Sequence, residues 1–196
     1  MAVLTAPRGI DGWIAERFGP GEMAPNDLVL CKARDVLRAD ERLVEFADRN
    51  PARIQSFSFF NPLDFSLAPG IVLWPELAKS TPSAGVVLSE ARINVALRFY
   101  VGEVNPLGAW SPGISTLLYH LYRVLFTHQG LPHLIAGDSV DLADRCDFDD
   151  ERSQLDRPSP NGPYVMTVGR TVTYHITTDP VTGQPWNIAL YGEPEP

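Results

Sequence analysis

The strongest constraint on the fold is the alternation of apolar and other side chains between Arg92 and Val101. The apolar members occupy every second position: Ile93, Val95, Leu97 and Phe99. Because successive side chains of a strand point to opposite faces of a sheet, this spacing predicts a strand in a sheet with one buried face. Arg98 and Tyr100 are expected on the other face.

A segment with helical spacing of apolar residues follows this strand, between Ile114 and Gln129. Its apolar residues recur three and four positions apart, at Ile114, Leu117, Leu118, Leu121 and Leu125. This pattern predicts an amphipathic helix that packs on the strand and forms the core with it. Ser111 suits the N-cap position, and Gly130 suits the left-handed position that follows many helices.

The remaining elements are shorter or less regular. We expect a helix over 10–18 and a helical segment over 35–49, whose second part begins at a capping Asp40. Strands are expected over 54–60, 71–74 and 165–177, the last with Gly169 as a bulge or bend, and a final strand over 186–191. This order predicts an α+β domain over 1–178, with helices packed on one face of a mainly antiparallel sheet, and a C-terminal extension over 179–196.

Composition excludes some classes of protein. Hydrophobic residues make up 44% of the 196, which excludes disorder along the whole chain. Acidic residues number 24 against 16 basic ones, and the formal charge of −8 argues against broad binding to a phosphate backbone. Cys31 and Cys146 lie far apart and form no CxxC pair, which favours free thiols in a reducing compartment. No signal peptide or membrane span is expected, because the most apolar stretch, 114–126, is too short to span a bilayer.

Motifs for catalysis or cofactor binding are not found. The string Ala109-Trp-Ser111-Pro-Gly113 resembles a hydrolase elbow, but Pro112 has no N–H to donate to an oxyanion. His120 and His128 are eight positions apart on one helix, too far to share a metal ion. No glycine-rich phosphate loop occurs. The prediction is therefore that no residue is catalytic, cofactor-binding or metal-binding.

An acidic segment over 138–156 allows three interpretations. Asp147, Asp149 and Glu151 alternate like the first ligands of a calcium loop, but Arg152 stands where that loop requires glycine. A second interpretation is a solvated loop or edge strand whose charge opposes aggregation, partly neutralised by Arg145, Arg152 and Arg157. A third is a docking surface for an arginine-bearing partner.

The order of several short strings resembles that of a known family. The strings are Arg34-Asp-Val-Leu-Arg-Ala-Asp-Glu-Arg-Leu43, Pro51-Ala-Arg-Ile54, Pro69-Gly-Ile-Val-Leu-Trp-Pro75 and the strand Arg92–Val101, followed by the helix over 114–129 and the β-rich 165–177. In this order the chain resembles, over residues 28–178, the tail-terminator or tail-completion proteins of long-tailed bacteriophages. Extra residues lie at 1–27, 138–163 and 180–196.

The resemblance implies a structural protein of the virion without catalytic residues. Such proteins form a ring, usually a hexamer, that caps the tail tube and joins it to the neck or head. Its partners would be copies of itself, the tube protein and neck or head-completion proteins, and DNA would only pass through the lumen. It would assemble in the host cytoplasm and act at the head–tail junction.

Specific contacts with partners are expected from loops and extensions rather than from the sheet. Phe65, Trp74, Trp186 and Tyr191 are the predicted interface residues, as aromatic anchors. The alternative for Trp74 and Trp186 is packing inside the subunit. Alternatives for the function are another head-completion, neck or baseplate protein, and an enzyme whose site carries no motif.

Overall fold

The computed structural model describes residues 24–57, 68–76, 79–83, 85–101, 112–135, 138–157 and 160–178. In chain order these form α1 (Pro25–Ala39), α2 (Glu41–Phe46), a 3-10 turn (Pro51–Arg53), β1 (Ile54–Ser56), β2 (Gly70–Pro75), β3 (Lys79–Ser83), β4 (Val86–Val101), α3 (Pro112–Thr127), β5 (Pro132–Ile135), β6 (Asp138–Asp141), β7 (Arg145–Phe148), β8 (Arg152–Asp156) and β9 (Tyr164–Thr178). The predicted helix over 10–18 and strand over 186–191 lie outside the described residues, as does Ser111.

The fold is α+β and its sheet is mainly antiparallel. Seven strands form one sheet in the order β1-β2-β4-β9-β7, with β3 also paired to β4 and β8 to β9. Among the described strands, only β1 and β2 pair in parallel. The long strands β4 and β9 pair from Val87 opposite Thr178 to Val101 opposite Tyr164 and hold the centre of the sheet. Strands β5 and β6 form a separate two-stranded sheet.

The helices cover one face of the sheet, which we call the front face. Ile93, Val95 and Leu97 of β4 lie there and are fully buried. They belong to one apolar cluster with Leu118, Leu121 and Leu125 of α3 and with the buried side of α1. The predicted pairing of strand 92–101 with helix 114–129 in the core is confirmed.

Helix α1 is longer than the sequence pattern predicted. It begins at Pro25 rather than near residue 35, and therefore includes the apolar run over 28–31. Pro25 lacks an N–H and favours the first helical position, and the buried residues of the helix are Leu28, Val29, Leu30, Ala33 and Leu37. The predicted break at Asp40 is confirmed, since its side chain caps α2 by accepting a hydrogen bond from the N–H of Leu43 at 3.0 Å.

The opposite, back face of the sheet is also partly buried, so the expectation of a single buried face was wrong. Arg98 is 0% exposed and Ala96 is 2% exposed, although Tyr100 on the same face is 49% exposed. Phe57 and Trp74 pack against Val72 and Ala96 there. Two aromatic side chains therefore cover part of a face that the polar residues of β4 had indicated to be solvated.

Two glycines have roles other than those predicted. Gly130 does not adopt the left-handed conformation after α3; Leu131 does, with φ +48°. A Cβ on Gly130 would collide with the side chain of Asp141. Gly169 is no bulge, because the pairing of β4 and β9 passes through it without interruption. There the absence of a side chain lets Val95 and Ala96 of β4 approach.

Both cysteines carry free thiols, with Cys31 partly buried and Cys146 buried. Among the helices in the described ranges, none combines the length and the hydropathy that a membrane span needs.

Candidate functional site

A groove between helix α3 and the edge of the sheet forms a concave site among the described residues. It has a volume of about 410 Å³. The residues that line it are Ser115, Tyr119, Tyr122, Arg123, Phe126, Phe148, Glu151 and Arg170. We call it the α3 groove.

One stripe of helix α3 forms one wall of the α3 groove. Tyr119, Tyr122 and Phe126 follow one another at intervals of three and four residues and so lie on the same side of the helix. Tyr119 is 69% exposed and Phe126 is 58% exposed, whereas Tyr122 is 8% exposed. Tyr122 therefore forms the floor, and the other two rings stand at the rim.

A β-bulge shapes the other wall. Phe148 of β7 lies opposite Val172, and Arg152 of β8 lies opposite Gly169. Residues 149–151 therefore face only two residues of β9, and the N–H of Asp149 donates to the carbonyl of Thr171 at 3.0 Å. Because side chains alternate along a strand, the extra residue turns Glu151 to the front face, where Arg170 lies.

The same bulge leaves Asp149 on the back face. Its Oδ2 accepts a hydrogen bond from Nη2 of Arg92 at 2.8 Å. A second carboxylate, that of Glu76, lies 3.5 Å from the same guanidinium nitrogen and accepts a hydrogen bond from Thr171 at 3.3 Å. These contacts fix the bulged segment to the centre of the sheet, so the wall of the groove is anchored from behind.

Stacked aromatic and guanidinium groups form the floor of the α3 groove. The rings of Tyr122 and Phe148 meet edge to face, with centroids 5.8 Å apart. The guanidinium carbon of Arg170 lies 4.8 Å from the Tyr122 centroid, and Nη2 of Arg170 lies 3.4 Å from Oε2 of Glu151. The cation–π interaction of Arg170 with Tyr122 and the partly exposed ion pair of Arg170 with Glu151 hold these three side chains in place.

The pKa of the Tyr122 phenol is raised above its ordinary value, mainly by burial. Burial raises its pKa, the Glu151 carboxylate raises it further, and Arg170 lowers it in part. Its Oη is buried and has no hydrogen-bond partner within the described ranges.

At the rim, Arg123 is exposed and makes no ion pair with any residue that the structure describes. The groove therefore presents aromatic surface with one available positive charge.

Of the predicted interface residues, the structure describes Trp74 alone, and it does not lie at this groove. Trp74 is on the back face, partly buried against Val72 and Ala96. Phe65, Trp186 and Tyr191 lie outside the described residues. The rim residues Tyr119 and Phe126 were missed, although their helical spacing with Tyr122 was visible as a second apolar stripe beside the core stripe of α3.

The acidic segment forms β6, β7 and β8, of which β7 and β8 are edge strands of the main sheet. Its carboxylates pair mainly with residues of the long strands: Asp149 with Arg92, Glu151 with Arg170, and Asp147 with His175 at 2.7 Å. Of the arginines expected to neutralise it, only Arg145 makes an ion pair in the described ranges, with Asp147 at 3.6 Å. Within those ranges no three metal-ligating side chains meet in a cluster.

Two of the described histidines, His120 and His175, make structural contacts with carboxylates. Nε2 of His120 on α3 lies 3.0 Å from Oδ1 and 3.1 Å from Oδ2 of the capping Asp40. His175 pairs with Asp147, and His128 is exposed. The side chain of His133 lies outside the described part of the structure.

Comparisons of the sequence with protein-family models and with curated proteins gave no match. The site must therefore be interpreted from its own geometry.

Proposed function

We propose that the protein is a structural component of a tailed bacteriophage, a tail terminator that forms a ring on the tail tube and joins it to the neck or head. The observation that carries the proposal is the α3 groove. Exposed aromatic rings beside an arginine that has no ion-pair partner among the described residues are typical of the surfaces by which proteins bind one another. A subunit that must contact its own copies and further proteins needs such a surface.

The order of the elements supports the same proposal. The elements that the family resemblance implies occur in its order, with β3 inserted between β2 and β4 and β5 to β8 inserted between α3 and β9: helices α1 and α2, short strand β1, strand β2, long strand β4, helix α3 and closing strand β9. The resemblance rests on short strings, and fold alone does not define function. The groove and the element order are independent of each other, and both agree with a protein that assembles.

Under this proposal the protein acts by assembly, without catalysis and without a cofactor. Six copies would form the ring, with the tube protein on one side and neck or head-completion proteins on the other. The protein would be assembled in the host cytoplasm and remain in the virion. The net charge of −8 suits a lumen through which DNA passes without being retained.

The experiment is the measurement of assembly state, first alone and then with tail tubes. Mass photometry at micromolar concentration should give a species of six copies of the 21.6 kDa chain. Negative-stain images should show rings, and added protein should cap tube ends and stop their growth. A chain that stays monomeric and leaves tube growth unchanged would contradict the proposal. Binding to baseplates or to heads, but not to tube ends, would favour another structural role in the virion.

A further inference from the structure

The α3 groove offers two kinds of contact that no described residue uses. Tyr119 and Phe126 stand exposed at its rim. Arg123, between them on the same helix, has no acidic partner in the described part of the chain. An occupant that satisfied both would carry an aromatic side chain together with carboxylates, because rings pack on rings and a guanidinium binds carboxylates.

The C-terminal segment over 179–196 has this composition. It contains Trp186 and Tyr191, and Asp179, Glu193 and Glu195 are its charged residues, with no lysine or arginine. Its apolar residues Ile188 and Leu190 lie between the two aromatic ones. Charge and aromatic content are thus complementary to those of the groove.

The direction of β9 favours a groove on another copy. Arg170 lines the groove, and Thr178 ends the same strand eight residues later. At about 3.3 Å per residue, β9 ends roughly 26 Å beyond Arg170. Eighteen further residues can extend up to about 60 Å, which is enough to reach a neighbouring subunit.

We propose that residues 179–196 of one copy bind in the α3 groove of the next copy. Trp186 is the anchor that packs between Tyr119 and Phe126, and the carboxylates of the segment lie near Arg123. Each subunit then donates one segment and accepts another. Such a head-to-tail contact generates a ring when its rotation closes. The inference rests on the self-assembly in the proposed function and names the contact that produces it.

The test uses full chains with substitutions at exposed positions. The groove variant is Tyr119→Ala with Phe126→Ala, and the segment variant is Trp186→Ala. The matched control is Tyr100→Ala, which removes an exposed ring from the back face, away from the groove. Circular dichroism and thermal unfolding verify that each variant is folded. Mass photometry should show assembly of the wild type and the control, and at least a tenfold loss of assembled species for the other two.

Mixing the two defective variants distinguishes binding between copies from binding within one copy. The groove variant retains an intact segment and the segment variant retains an intact groove. An equimolar mixture should therefore form a heterodimer with one productive contact. If the mixture stays monomeric while the wild type assembles, or if both variants assemble like the wild type, the inference is wrong and the ring proposal stands.

A labelled peptide of residues 179–196 tests the contact without requiring a ring. Its fluorescence anisotropy should show micromolar binding to the segment variant and at least tenfold weaker binding to a chain with all three substitutions. If the wild type is monomeric but the peptide binds in this way, the contact is supported and the ring proposal fails. If the peptide does not bind the segment variant, the inference is overturned whether or not the wild type assembles.

Discussion

Asp40 connects three elements through a single carboxylate. Its Oδ1 caps α2 through the N–H of Leu43, and both oxygens lie within hydrogen-bond distance of His120 on α3. A carboxylate only accepts, so His120 donates from Nε2. The residue that separates α1 from α2 therefore also holds α3 in position.

The charge of Asp40 makes this contact dependent on pH. Burial alone would raise the pKa of Asp40, but the hydrogen bonds from His120 and from the N–H of Leu43 outweigh burial and lower it. A carboxyl whose pKa is lowered by folding stabilises the fold above its unfolded value, about 3.9. That stabilisation is lost as the pH falls through the lower, folded value.

Asp40→Asn should separate the stability contributed by the charge of Asp40 from that contributed by its helix cap. Asparagine still accepts the N–H of Leu43, so the cap is kept, but the charge-assisted hydrogen bond with His120 is lost. We expect a decrease on the order of 1 kcal/mol in the free energy of unfolding at neutral pH. Urea unfolding between pH 7 and pH 3 should show the difference between wild type and variant narrowing at the acid end. A difference that does not vary with pH would contradict this role of Asp40.

Leu121 should be one of the most sensitive residues of the core. It is fully buried, in the same cluster as Leu97 of β4. Leu121→Ala or Leu97→Ala should each lower the free energy of unfolding by about 2–5 kcal/mol, because each leaves a cavity between α3 and the sheet. Tyr119→Ala on the exposed side of α3 is the control and should change it by less than about 1 kcal/mol. Denaturant unfolding of the monomer measures all three.

The role of a residue could be predicted from the sequence where that role is determined by residues within a few positions of it in the chain. The cap at Asp40 and the buried leucines of α3 follow from chemistry within a few positions, and the sequence was enough to predict them. The burial of Arg98 could not be predicted, because it depends on what lies over the back face of the sheet. The pairing of Glu151 with Arg170 depends on a bulge, which no pattern within 138–156 indicated.

At the scale of elements, the long pairing of β4 with β9 organises the molecule. Their register holds over the whole length of β9, so every front-face residue of one strand faces a front-face residue of the other. The alternating pattern predicted β4 and the faces of its side chains, and the β-rich run over 165–177 predicted β9. The bounds of β9 and the end of β4 were predicted to within one residue, but the start of β4 was not: β4 begins at Val86 rather than at Arg92, because its first residues pair with β3 as well as with β9.

Gly169→Ala should damage this pairing. A methyl group there would collide with the carbonyl oxygen of Val95 and with Ala96, so the strands would have to separate locally. The expected decrease in the free energy of unfolding is about 1–3 kcal/mol. Ser153→Ala, at an exposed position of the neighbouring strand β8, should have little effect. If the two variants were equally stable in urea, the close approach at Gly169 would be unimportant.

At the scale of the whole molecule, acidic residues are concentrated on one edge of the sheet. Strands β7 and β8 and the segment 149–151 between them form that edge, and three of its carboxylates pair with Arg92, Arg170 and His175. Charged edge strands resist pairing with further strands. We therefore expect copies to associate through the α3 groove rather than by extension of the sheet.

The overall charge leads to a last prediction, on DNA. Binding to a phosphate backbone requires several lysines or arginines that replace condensed counterions. This chain has 16 basic residues against 24 acidic ones, and in the described ranges Arg92, Arg145 and Arg170 near the acidic edge are already engaged with carboxylates. A labelled DNA duplex should show no change in anisotropy with up to about 10 µM protein at physiological salt, where non-specific binders have dissociation constants of about 10⁻⁴–10⁻⁶ M. A lysine-rich peptide serves as the positive control. Micromolar binding that weakens with added salt would show that the assembled protein retains DNA, and would contradict a lumen through which DNA passes freely.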